Sequence, residues 1–383
     1  MRVVVLASGH SDFGLIRPLL KRFTRDPSVE VTLACLGPAS DLTDSYIVDG
    51  GIAPLEIVRF PFAAGAPLAR PTDAAVLLSH TCARFAAWMS DREPPDWVIA
   101  PGDRFEVYGA VLAAYYGGAP IAHVFAGDRS QGGHLDDSVR HAITKLAHVH
   151  FAVCQDSYQR VLALGEESWR VHEVGSPVVE SVHEALADRV PLSQLITPRR
   201  FNVLATYHPI SGEPQQAGVQ FDALLAACDR VTATVDAAFI FTHPNFEFGS
   251  QQIIDRLHRL TGRPGYFVFE TLGWKRYLQT LSQCDLAIGN SSSLLLEAPI
   301  LGVPSLVVGT RQKGRYAPSG VEHVEEYDPG AIADAILAQL AALRPTGSHP
   351  YGPGDSSDRI LGILVRTLAD HTHAEITRKQ ITY

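Results

Sequence analysis

Residues 97–106 read Trp97-Val-Ile-Ala-Pro-Gly-Asp-Arg-Phe-Glu106, and a helical pattern follows them over Val107–Tyr116. A short apolar run that ends in a Pro-Gly break and leads into a helix predicts one strand–helix unit of a parallel sheet. Asp103 and Arg104 then lie at the carboxyl end of the strand, on the rim where α/β proteins form ligand crevices. The alternative interpretation is that Asp103 caps the helix and Arg104 is solvated.

The same alternation continues along the chain on both sides of this unit. It predicts strands in the first half at Val3–Ala7, Val29–Leu36, Trp97–Ala100, Pro120–Phe125, His150–Val153 and Val171–Val174. It predicts strands in the second half at Asn202–Thr206, Ala237–Phe241, Tyr266–Phe269, Leu286–Gly289 and Ser305–Val308. Strands separated by single helix-length segments are typical of an α/β fold, here with two parallel sheets of similar size.

Two breaks in this alternation, together with a length of 383 residues, indicate two domains. Residues 179–200 include Pro191 and Pro198, and we predict that they link a first lobe, residues 1–178, to a second lobe, residues 201–354. The end of the second lobe is rich in Gly and Pro, which cannot continue a helix. A last helical pattern, Ser356–Ala369, lies in the remaining segment, residues 355–383.

The composition narrows the class of protein. With 46% hydrophobic and 19% charged residues, the chain has the composition of a globular protein, and we expect no membrane partner. A formal net charge of −9 argues against a nucleic-acid partner, because such proteins carry a basic face. An anionic nucleotide ligand would therefore need local positive charge.

The cysteines and the N-terminus point to an intracellular protein. The five cysteines are widely spaced, at Cys35, Cys82, Cys154, Cys228 and Cys284. Because no metal-binding spacing can be drawn from them, we expect reduced thiols in the core and no metal site. We also expect no cofactor. The apolar run Val3–Ala7 is shorter than that of a signal peptide, so we expect a first strand and a cytoplasmic location.

Charged residues and histidines occur together over residues 123–145, at the end of a predicted strand. This block contains three histidines, three cations and the three carboxylates Asp128, Asp136 and Asp137. A helix that starts near Asp137 places Arg140 and Thr144 at helical spacing, so some of these side chains face protein. Structural ion pairs explain part of the block, but crowded acids at a strand end are also expected to perform acid–base chemistry.

Further turns after predicted strands suit phosphate or sugar oxygens. The turn Ser8–Gly14, with His10 and Asp12, opens the first helix and offers free backbone N–H groups. The turn Gly289-Asn290-Ser291-Ser292-Ser293 is rich in hydroxyls and leads into a helix with Glu297. Many α/β proteins have such turns and bind nothing there, which is the alternative interpretation.

Positive charge is concentrated in one loop of the second half. Arg311, Lys313 and Arg315 surround Gly314 after the strand Ser305–Val308, which indicates an anion site or else a solvated loop. His208 follows another strand end and is either a ligand contact or a capping or core histidine.

Taken in chain order, these motifs resemble those of the UDP-N-acetylglucosamine 2-epimerase family, especially its hydrolysing, N-acetylmannosamine-forming branch. The most specific matches are Gly102–Glu106, Asp136–Lys145, His208-Pro209, Gly289–Ser293 with Glu297, and Arg311–Arg315. The resemblance extends over nearly the whole chain. It implies a GT-B-like fold of two Rossmann-like lobes with an interlobe cleft, in which the final helix crosses back to the first lobe.

The resemblance also implies a reaction and a set of site residues. The family removes the C2 proton of a UDP-linked N-acetylhexosamine and expels UDP from C1, and water then adds at C1 while C2 is reprotonated on the other face. Asp103 and Asp136 are the implied acid–base groups, and His208 and the three cations of the Arg311–Arg315 loop would assist the diphosphate. Ser291, Ser292 and Glu297 would hold uridine and ribose. We also expect substrate contacts at His10, Asp12, Arg104, Arg140, Gly289 and Asn290, and a homodimer.

Three departures from the family pattern are visible. His10 stands where the family commonly has arginine, and Phe125 stands where a His-x-Glu-x-Gly motif has its carboxylate. Asp128 replaces the next glutamate, and the loop Arg129–His134 looks longer. Because a phenyl ring cannot transfer a proton, either Asp128 or a histidine substitutes, or the reaction or the substrate has changed.

The leading hypothesis is a hydrolysing 2-epimerase for UDP-N-acetylglucosamine or a modified relative such as a diacetamido-trideoxy sugar nucleotide. The alternatives are a non-hydrolysing 2-epimerase, a sugar-nucleotide hydrolase without epimerisation, a GT-B glycosyltransferase and a catalytically idle sugar-nucleotide binder. The aspartates around Asp136 disfavour a transferase, which does not need so many acids near C2.

Overall fold

A computed structural model describes residues 1–37, 47, 51–52, 55–62, 71–129, 135–210, 212–244, 247–342 and 348–382. The chain divides into two compact units. Unit 1 contains Met1–Arg129, Asp136–Glu180 and Pro350–Tyr383, and unit 2 is built around Ser181–His349. Among the described helices, none combines the length and the apolar character needed to cross a membrane.

Each unit has one parallel sheet. The strands of unit 1 are β1 Arg2–Ala7, β2 Glu30–Leu36, β3 Glu56–Phe60, β4 Trp97–Pro101, β5 Ile121–Val124, β6 Val149–Ala152 and β7 Val171–Glu173. The strands of unit 2 are β8 Phe201–Thr206, β9 Ala237–Thr242, β10 Tyr266–Phe269, β11 Leu286–Gly289, β12 Ser305–Val308 and β13 Val321–Val324. The orders are β3-β2-β1-β4-β5-β6-β7 and β10-β9-β8-β11-β12-β13. Both follow the Rossmann order, so the predicted α/β class with two parallel sheets is confirmed.

Helices follow most strands. They are α1 His10–Phe23, α2 Pro71–Ser90, α3 Phe105–Tyr116, α4 Leu135–Leu146, α5 Gln155–Ala163, α6 Val178–Ala187, α7 Ala217–Thr234, α8 Ser250–His258, α9 Gly273–Leu281, α10 Glu297–Ile300, α11 Pro329–Ala341, α12 Ser356–Asp370 and α13 His373–Thr377. Short 3₁₀ turns lie at Ser168–Arg170, Leu192–Gln194, Pro214–Gln216 and Ser292–Leu294.

The central strands are apolar on both faces because helices cover both sides of each sheet. In β8, Val203 and Ala205 belong to one buried cluster of unit 2, whereas Leu204 belongs to the cluster on the opposite face. This alternation explains why the central strands read as continuous apolar runs. The two strands that the sequence did not predict, β3 and β13, lie at sheet edges.

The C-terminal segment packs on unit 1. Arg170, which is fully buried, donates hydrogen bonds to the carbonyl oxygens of Ile376 at 2.7 Å and Glu375 at 2.9 Å. The buried carboxylate of Glu166 accepts a hydrogen bond from Lys379 Nζ at 2.7 Å. The helix α13 and the Lys379 that follows it are therefore tied to the body of unit 1.

All five cysteines are free thiols, and four of them are buried. Cys82, on α2, is half-buried.

Candidate active site

The turn after β4 brings Asp103 to the carboxyl edge of the first sheet. Gly102 adopts a left-handed backbone with φ of +68°, which an L-residue reaches only at a cost. The next residues, Asp103 and Arg104, precede α3. Arg104 donates two hydrogen bonds to the buried carboxylate of Glu106, from Nε at 3.2 Å and from Nη2 at 3.0 Å. The guanidinium of Arg104, a residue that the sequence predicts to contact substrate, thus stabilises the first turn of α3.

A buried arginine joins this turn to α4. Arg140 is 2% exposed, and its guanidinium contacts Asp103 through Nη2 and Asp137 through Nη1, the latter at 3.1 Å. Asp103 and Asp137 are each about a quarter exposed, at 22% and 27%. The charge of Arg140 therefore offsets the repulsion between two carboxylates at the same sheet edge.

Asp136 lies in the first turn of α4, which begins at Leu135 rather than near Asp137 as the sequence indicated. Its side chain is half-buried. A carboxylate near the N-terminus of a helix is stabilised by the helix dipole and by backbone N–H groups. His141, on the same helix, lies 3.8 Å from Asp137, and burial lowers its pKa.

Phe125 has an unusual backbone. Its φ is +65°, and within the described residues it is the one non-glycine residue with a positive φ. Such a conformation costs roughly 1–3 kcal/mol and is typical of functional sites. Gly127 follows with φ of +77°, where a Cβ atom would lie 2.1 Å from the Ser157 carbonyl oxygen. The chain after β5 is thus held in one tight turn.

Asp128 ends this turn. The side chain is half-buried, and Oδ1 accepts a hydrogen bond from the Arg129 backbone N–H at 2.9 Å. Most of the predicted long loop, residues 130–134 with His134, lies outside the described residues. His10 and Asp12 are in the first turn of α1, but their side chains also lie outside the described part of the structure.

In unit 2, the ends of β8 and β11 are joined by a reciprocal pair of hydrogen bonds. The His208 N–H donates to Asn290 Oδ1 at 2.7 Å, and Asn290 Nδ2 donates to the His208 carbonyl at 2.8 Å. Both residues are buried. Sequence reasoning assigned Asn290 a substrate contact, but its side-chain amide holds the backbone of His208.

Glycine is required just before Asn290. Gly289 has φ of +127°, and a Cβ atom there would lie 2.0 Å from the Thr206 carbonyl oxygen. This close approach lets β11 pair with β8 along the whole of β11, since Gly289 is in register with Thr206.

The loop after β12 packs against the same edge. Gln312 Nε2 donates to the Asn290 carbonyl at 2.8 Å, and Arg315 Nη1 donates to Gln312 Oε1 at 2.8 Å. Arg311 lies 3.4 Å from the same carbonyl and 3.3 Å from the carboxylate of Glu247. Gln312 and Glu247 were missed from the sequence, because neither residue type stands out in a cationic loop or a polar turn.

Lys313 faces a different environment. It forms an ion pair with Glu325 at 2.7 Å, in which both side chains are about half exposed. The structure therefore brings Arg311 and Arg315 to the Asn290 edge and leaves Lys313 in a solvated pair.

The serine turn after β11 is ordered by its own hydroxyls. Ser291 Oγ accepts from the Ser293 N–H at 3.3 Å, and Ser293 Oγ is 2.6 Å from the Tyr277 hydroxyl. Ser291 and Ser292 remain half-exposed. Glu297 Oε2 is buried and has no hydrogen-bond partner among the described residues, although the whole residue is only half-buried. Burial raises the pKa of its carboxyl to about 7.

These two edges offer different chemistry. The edge of unit 1 carries aspartates at the ends of a strand and a helix, next to a buried guanidinium, which suits proton transfer. The edge of unit 2 carries half-exposed hydroxyls, a carboxyl oxygen able to bond a ligand hydroxyl, and two guanidinium groups, which suits a nucleoside diphosphate.

Comparison with protein families gives a match over most of the chain. The sequence profile of a family described as UDP-N-acetylglucosamine 2-epimerase matches residues 69–365. This range includes every predicted site residue except His10 and Asp12.

Two relatives are similar over nearly their whole lengths. The UDP-N,N'-diacetylbacillosamine 2-epimerase (hydrolyzing) of Legionella pneumophila is 26% identical, with 100% of this chain and 99% of the relative covered. The UDP-N-acetylglucosamine 2-epimerase of Neisseria meningitidis is also 26% identical, with 93% and 92% covered.

The fold is shared with a solved structure. The UDP-GlcNAc 2-epimerase of Methanocaldococcus jannaschii, crystallised with UDP-GlcNAc and UDP, superposes with a TM-score of 0.80 at 16% identity, covering 96% of this chain and 100% of that one. The predicted GT-B-like fold of two Rossmann-like lobes is thereby confirmed.

Proposed function

This chain belongs to the UDP-N-acetylglucosamine 2-epimerase family, and from that premise we propose that it is a hydrolysing 2-epimerase. Its substrate is UDP-N-acetylglucosamine or a modified UDP-acetamidosugar. A base removes the C2 proton as the C1–O bond to UDP breaks, which leaves a 2-acetamidoglucal. Water then adds its oxygen to C1, and C2 receives a proton on the opposite face. The products are UDP and the free 2-epimeric sugar.

The observation that carries this proposal is the contact of Asp103 with the buried Arg140 at the edge of unit 1. The guanidinium allows an ionised carboxylate to stand at a partly buried strand end. Asp103 is thus suited to act as a base, and Asp136 at the start of α4 is suited to act as the second acid–base group. We assign the proton transfers at C2 to these two residues.

Unit 2 supplies the contacts for UDP in this proposal. Arg311 and Arg315 stabilise the diphosphate, which gains charge as it leaves. His208 assists them from the end of β8, in a position fixed by Asn290. Ser291, Ser292 and the buried Glu297 oxygen receive uridine and ribose hydroxyls, and a ribose hydroxyl would supply the hydrogen bond that this oxygen lacks.

Asp128 takes the place of the carboxylate that is missing at Phe125. The left-handed turn over Phe125–Gly127 delivers Asp128 just past the end of β5. We propose that Asp128 assists proton transfer at C2, as the Phe125 side chain cannot.

Hydrolysis is favoured by the relative from Legionella pneumophila, which is named as a hydrolysing enzyme and matches this chain from end to end. The second candidate is the non-hydrolysing reaction, in which UDP is returned to the sugar. The name of the relative from Neisseria meningitidis specifies neither reaction. The homodimer and the cytoplasmic location expected from the sequence belong to the same proposal, and sedimentation of the purified protein tests the first.

The deciding experiment is incubation with UDP-N-acetylglucosamine, and in parallel with a UDP-diacetamido-trideoxyhexose, in D2O. Under the proposal, NMR detects release of UDP and a free 2-epimeric sugar that carries deuterium at C2. A deuterated sugar still attached to UDP would establish the non-hydrolysing reaction instead. Release of UDP without deuterium at C2 would rule out elimination and leave a simple hydrolase.

A further inference from the structure

His123 lies on β5 and is fully buried. Its Nε2 atom is 2.8 Å from the Gly102 carbonyl oxygen, and its Nδ1 atom is 3.1 Å from Thr144 Oγ1. A carbonyl oxygen only accepts hydrogen bonds, so Nε2 carries the hydrogen and Nδ1 is the acceptor.

The hydrogen bond to Gly102 fixes the turn that carries Asp103. The Gly102 N–H donates to the Val124 carbonyl at 3.0 Å, so both backbone polar groups of this glycine are held by β5. Gly102 has a left-handed backbone and follows the last residue of β4, so its carbonyl group lies outside the regular pairing of β4 with β5. The carbonyl group of Gly102 immediately precedes Asp103, and its orientation sets the direction in which Asp103 leaves the strand.

The other ring nitrogen connects His123 to α4. The Thr144 hydroxyl lies 3.1 Å from His123 Nδ1 and 3.1 Å from the Arg140 carbonyl oxygen. Thr144 is fully buried and lies one helical turn after Arg140. A single imidazole ring therefore contacts both the turn that carries Asp103 and the helix that carries Arg140.

We propose that His123 is a positioning residue that fixes Asp103 for proton transfer, through the hydrogen bond from Nε2 to the Gly102 carbonyl. This inference rests on the proposed function and extends it from the residues that meet the sugar to one that orients them. Burial lowers the pKa of His123 to about 3, so the ring stays neutral and donates a hydrogen bond without adding charge.

Two matched substitutions separate the two ring nitrogens. In His123→Gln the side-chain amide reaches the position of Nε2 and can still donate a hydrogen bond to the Gly102 carbonyl. In His123→Asn the shorter side chain reaches only the position of Nδ1, so it keeps the contact with Thr144 and loses the one with Gly102. We expect His123→Gln to keep kcat within about threefold of the wild type, and His123→Asn to lower kcat by about tenfold or more at unchanged KM.

Calorimetric titration with UDP supplies the control, because unit 2 binds UDP in the proposed function. It counts the folded sites in each preparation, and kcat is expressed per site. If His123 only fills the core, both variants will retain the wild-type kcat per UDP-binding site, and that result overturns the proposal. Equal losses of kcat in the Gln and Asn variants overturn it as well.

Thr144→Val provides a second test that keeps the core volume and removes only the hydroxyl. In this variant the His123 ring keeps its hydrogen bond to the Gly102 carbonyl but loses its contact with the Thr144 hydroxyl. We therefore expect kcat to fall by about threefold with unchanged KM. An unchanged kcat contradicts the role assigned to this link.

Crystal structures keep the test independent of turnover. If the wild type releases no UDP from either sugar nucleotide, the proposed function fails. The positioning role is then decided by geometry: the Gly102 carbonyl and the Asp103–Arg140 contact move in His123→Asn and stay in place in His123→Gln. An unmoved turn in both variants overturns the inference.

Discussion

Arg140 and Asp103 form an ion pair that joins two strand–helix units of the first sheet. Arg140 is almost completely buried, while Asp103 keeps about a fifth of its surface exposed. The guanidinium of Arg140 is thus shielded from solvent, whereas the carboxylate of Asp103 remains partly accessible to solvent. The pair links the stability of unit 1 to the chemistry at its edge, and the two effects can be measured separately.

Asp103→Asn and Asp136→Asn should each lower turnover by at least about a hundredfold, because each removes an acid–base group. Both variants should still fold, although Asp103→Asn removes one of the two carboxylates that pair with the buried Arg140 and should lower the unfolding midpoint in urea. Asp137→Asn is the matched control, since Asp137 also contacts Arg140 but has no assigned proton transfer. UDP release assays on the three variants check this, and near-wild-type rates in the first two would refute the assignment.

Arg140→Ala should lower the free energy of unfolding by about 3 kcal/mol, because it leaves two carboxylates at the sheet edge without their buried cation. Arg2→Ala breaks an exposed pair with Glu93 and should cost at most about 1 kcal/mol. Urea denaturation measures both. Equal losses would mean that burial of Arg140 adds nothing to the ion pair.

Gly289→Ala should lower the free energy of unfolding by at least about 3 kcal/mol, because the new Cβ atom overlaps the Thr206 carbonyl oxygen. Gly118→Ala is the control, since Gly118 also has a positive φ but no atom of the described residues lies within 4 Å of the new Cβ. It should cost only about 1 kcal/mol of backbone strain. The two thermal midpoints distinguish steric overlap from strain.

Arg311→Ala should weaken UDP binding by at least about tenfold, or about 1.4 kcal/mol, because a guanidinium near the diphosphate is lost. Lys313→Ala removes a cation from the same loop, but one that pairs with Glu325 in solvent. It should leave the affinity nearly unchanged. Calorimetry on the two variants tests the anion site, and the same affinity in both would show that the loop is solvated surface.

Stability should fall as the pH drops from 7 to 5. Burial lowers the pKa of His123 and of His148 to about 3, whereas the unfolded chain takes up protons near pH 6.5. The unfolded state therefore binds more protons in this window, and two such histidines lower the free energy of unfolding by about 4 kcal/mol. Urea unfolding at pH 7, 6 and 5 measures the slope.

Two variants test whether His148 contributes to this dependence of stability on pH. His148 Nδ1 accepts a hydrogen bond from the Ile121 N–H at 2.9 Å, and the amide oxygen of His148→Asn can accept it without a titrating group. The slope should decrease in His148→Asn and persist in His80→Asn, which changes an exposed histidine on α2. The same slope in both variants would show that His148 does not contribute to the pH dependence.

The central strands could be predicted from the sequence because they are buried on both faces and therefore read as unbroken apolar runs. Of the edge strands among the described residues, β7 and β10 were predicted as well, but β3 and β13 were not. β3 contains Glu56 and Arg59, and β13 contains Glu322 and His323, so polar residues interrupt each short apolar run. Short polar strands of this kind lack the pattern that marks a strand.

The candidate site was predicted less completely. Residue type and the position after a strand marked Asp103 and the acidic block around Asp136, and the family resemblance implied their acid–base roles, but neither could identify the residues that they contact. The pairing of Asp103 with Arg140 depends on where α4 begins and how it packs. The left-handed backbone at Phe125 was also beyond reach, because sequence patterns place such conformations at glycine.

The division of unit 1 along the chain has a consequence for biosynthesis. Unit 2 comes from the middle of the sequence, whereas unit 1 needs Pro350–Tyr383, including the Lys379 that meets the buried Glu166. During translation, unit 2 can therefore acquire its full set of contacts while unit 1 still waits for its closing segment on the ribosome. Proteolysis of ribosome-bound chains stalled beyond His349 should find unit 2 resistant and unit 1 sensitive. The N-terminal part of unit 1 is thus synthesised first, but unit 1 is the last to complete its fold.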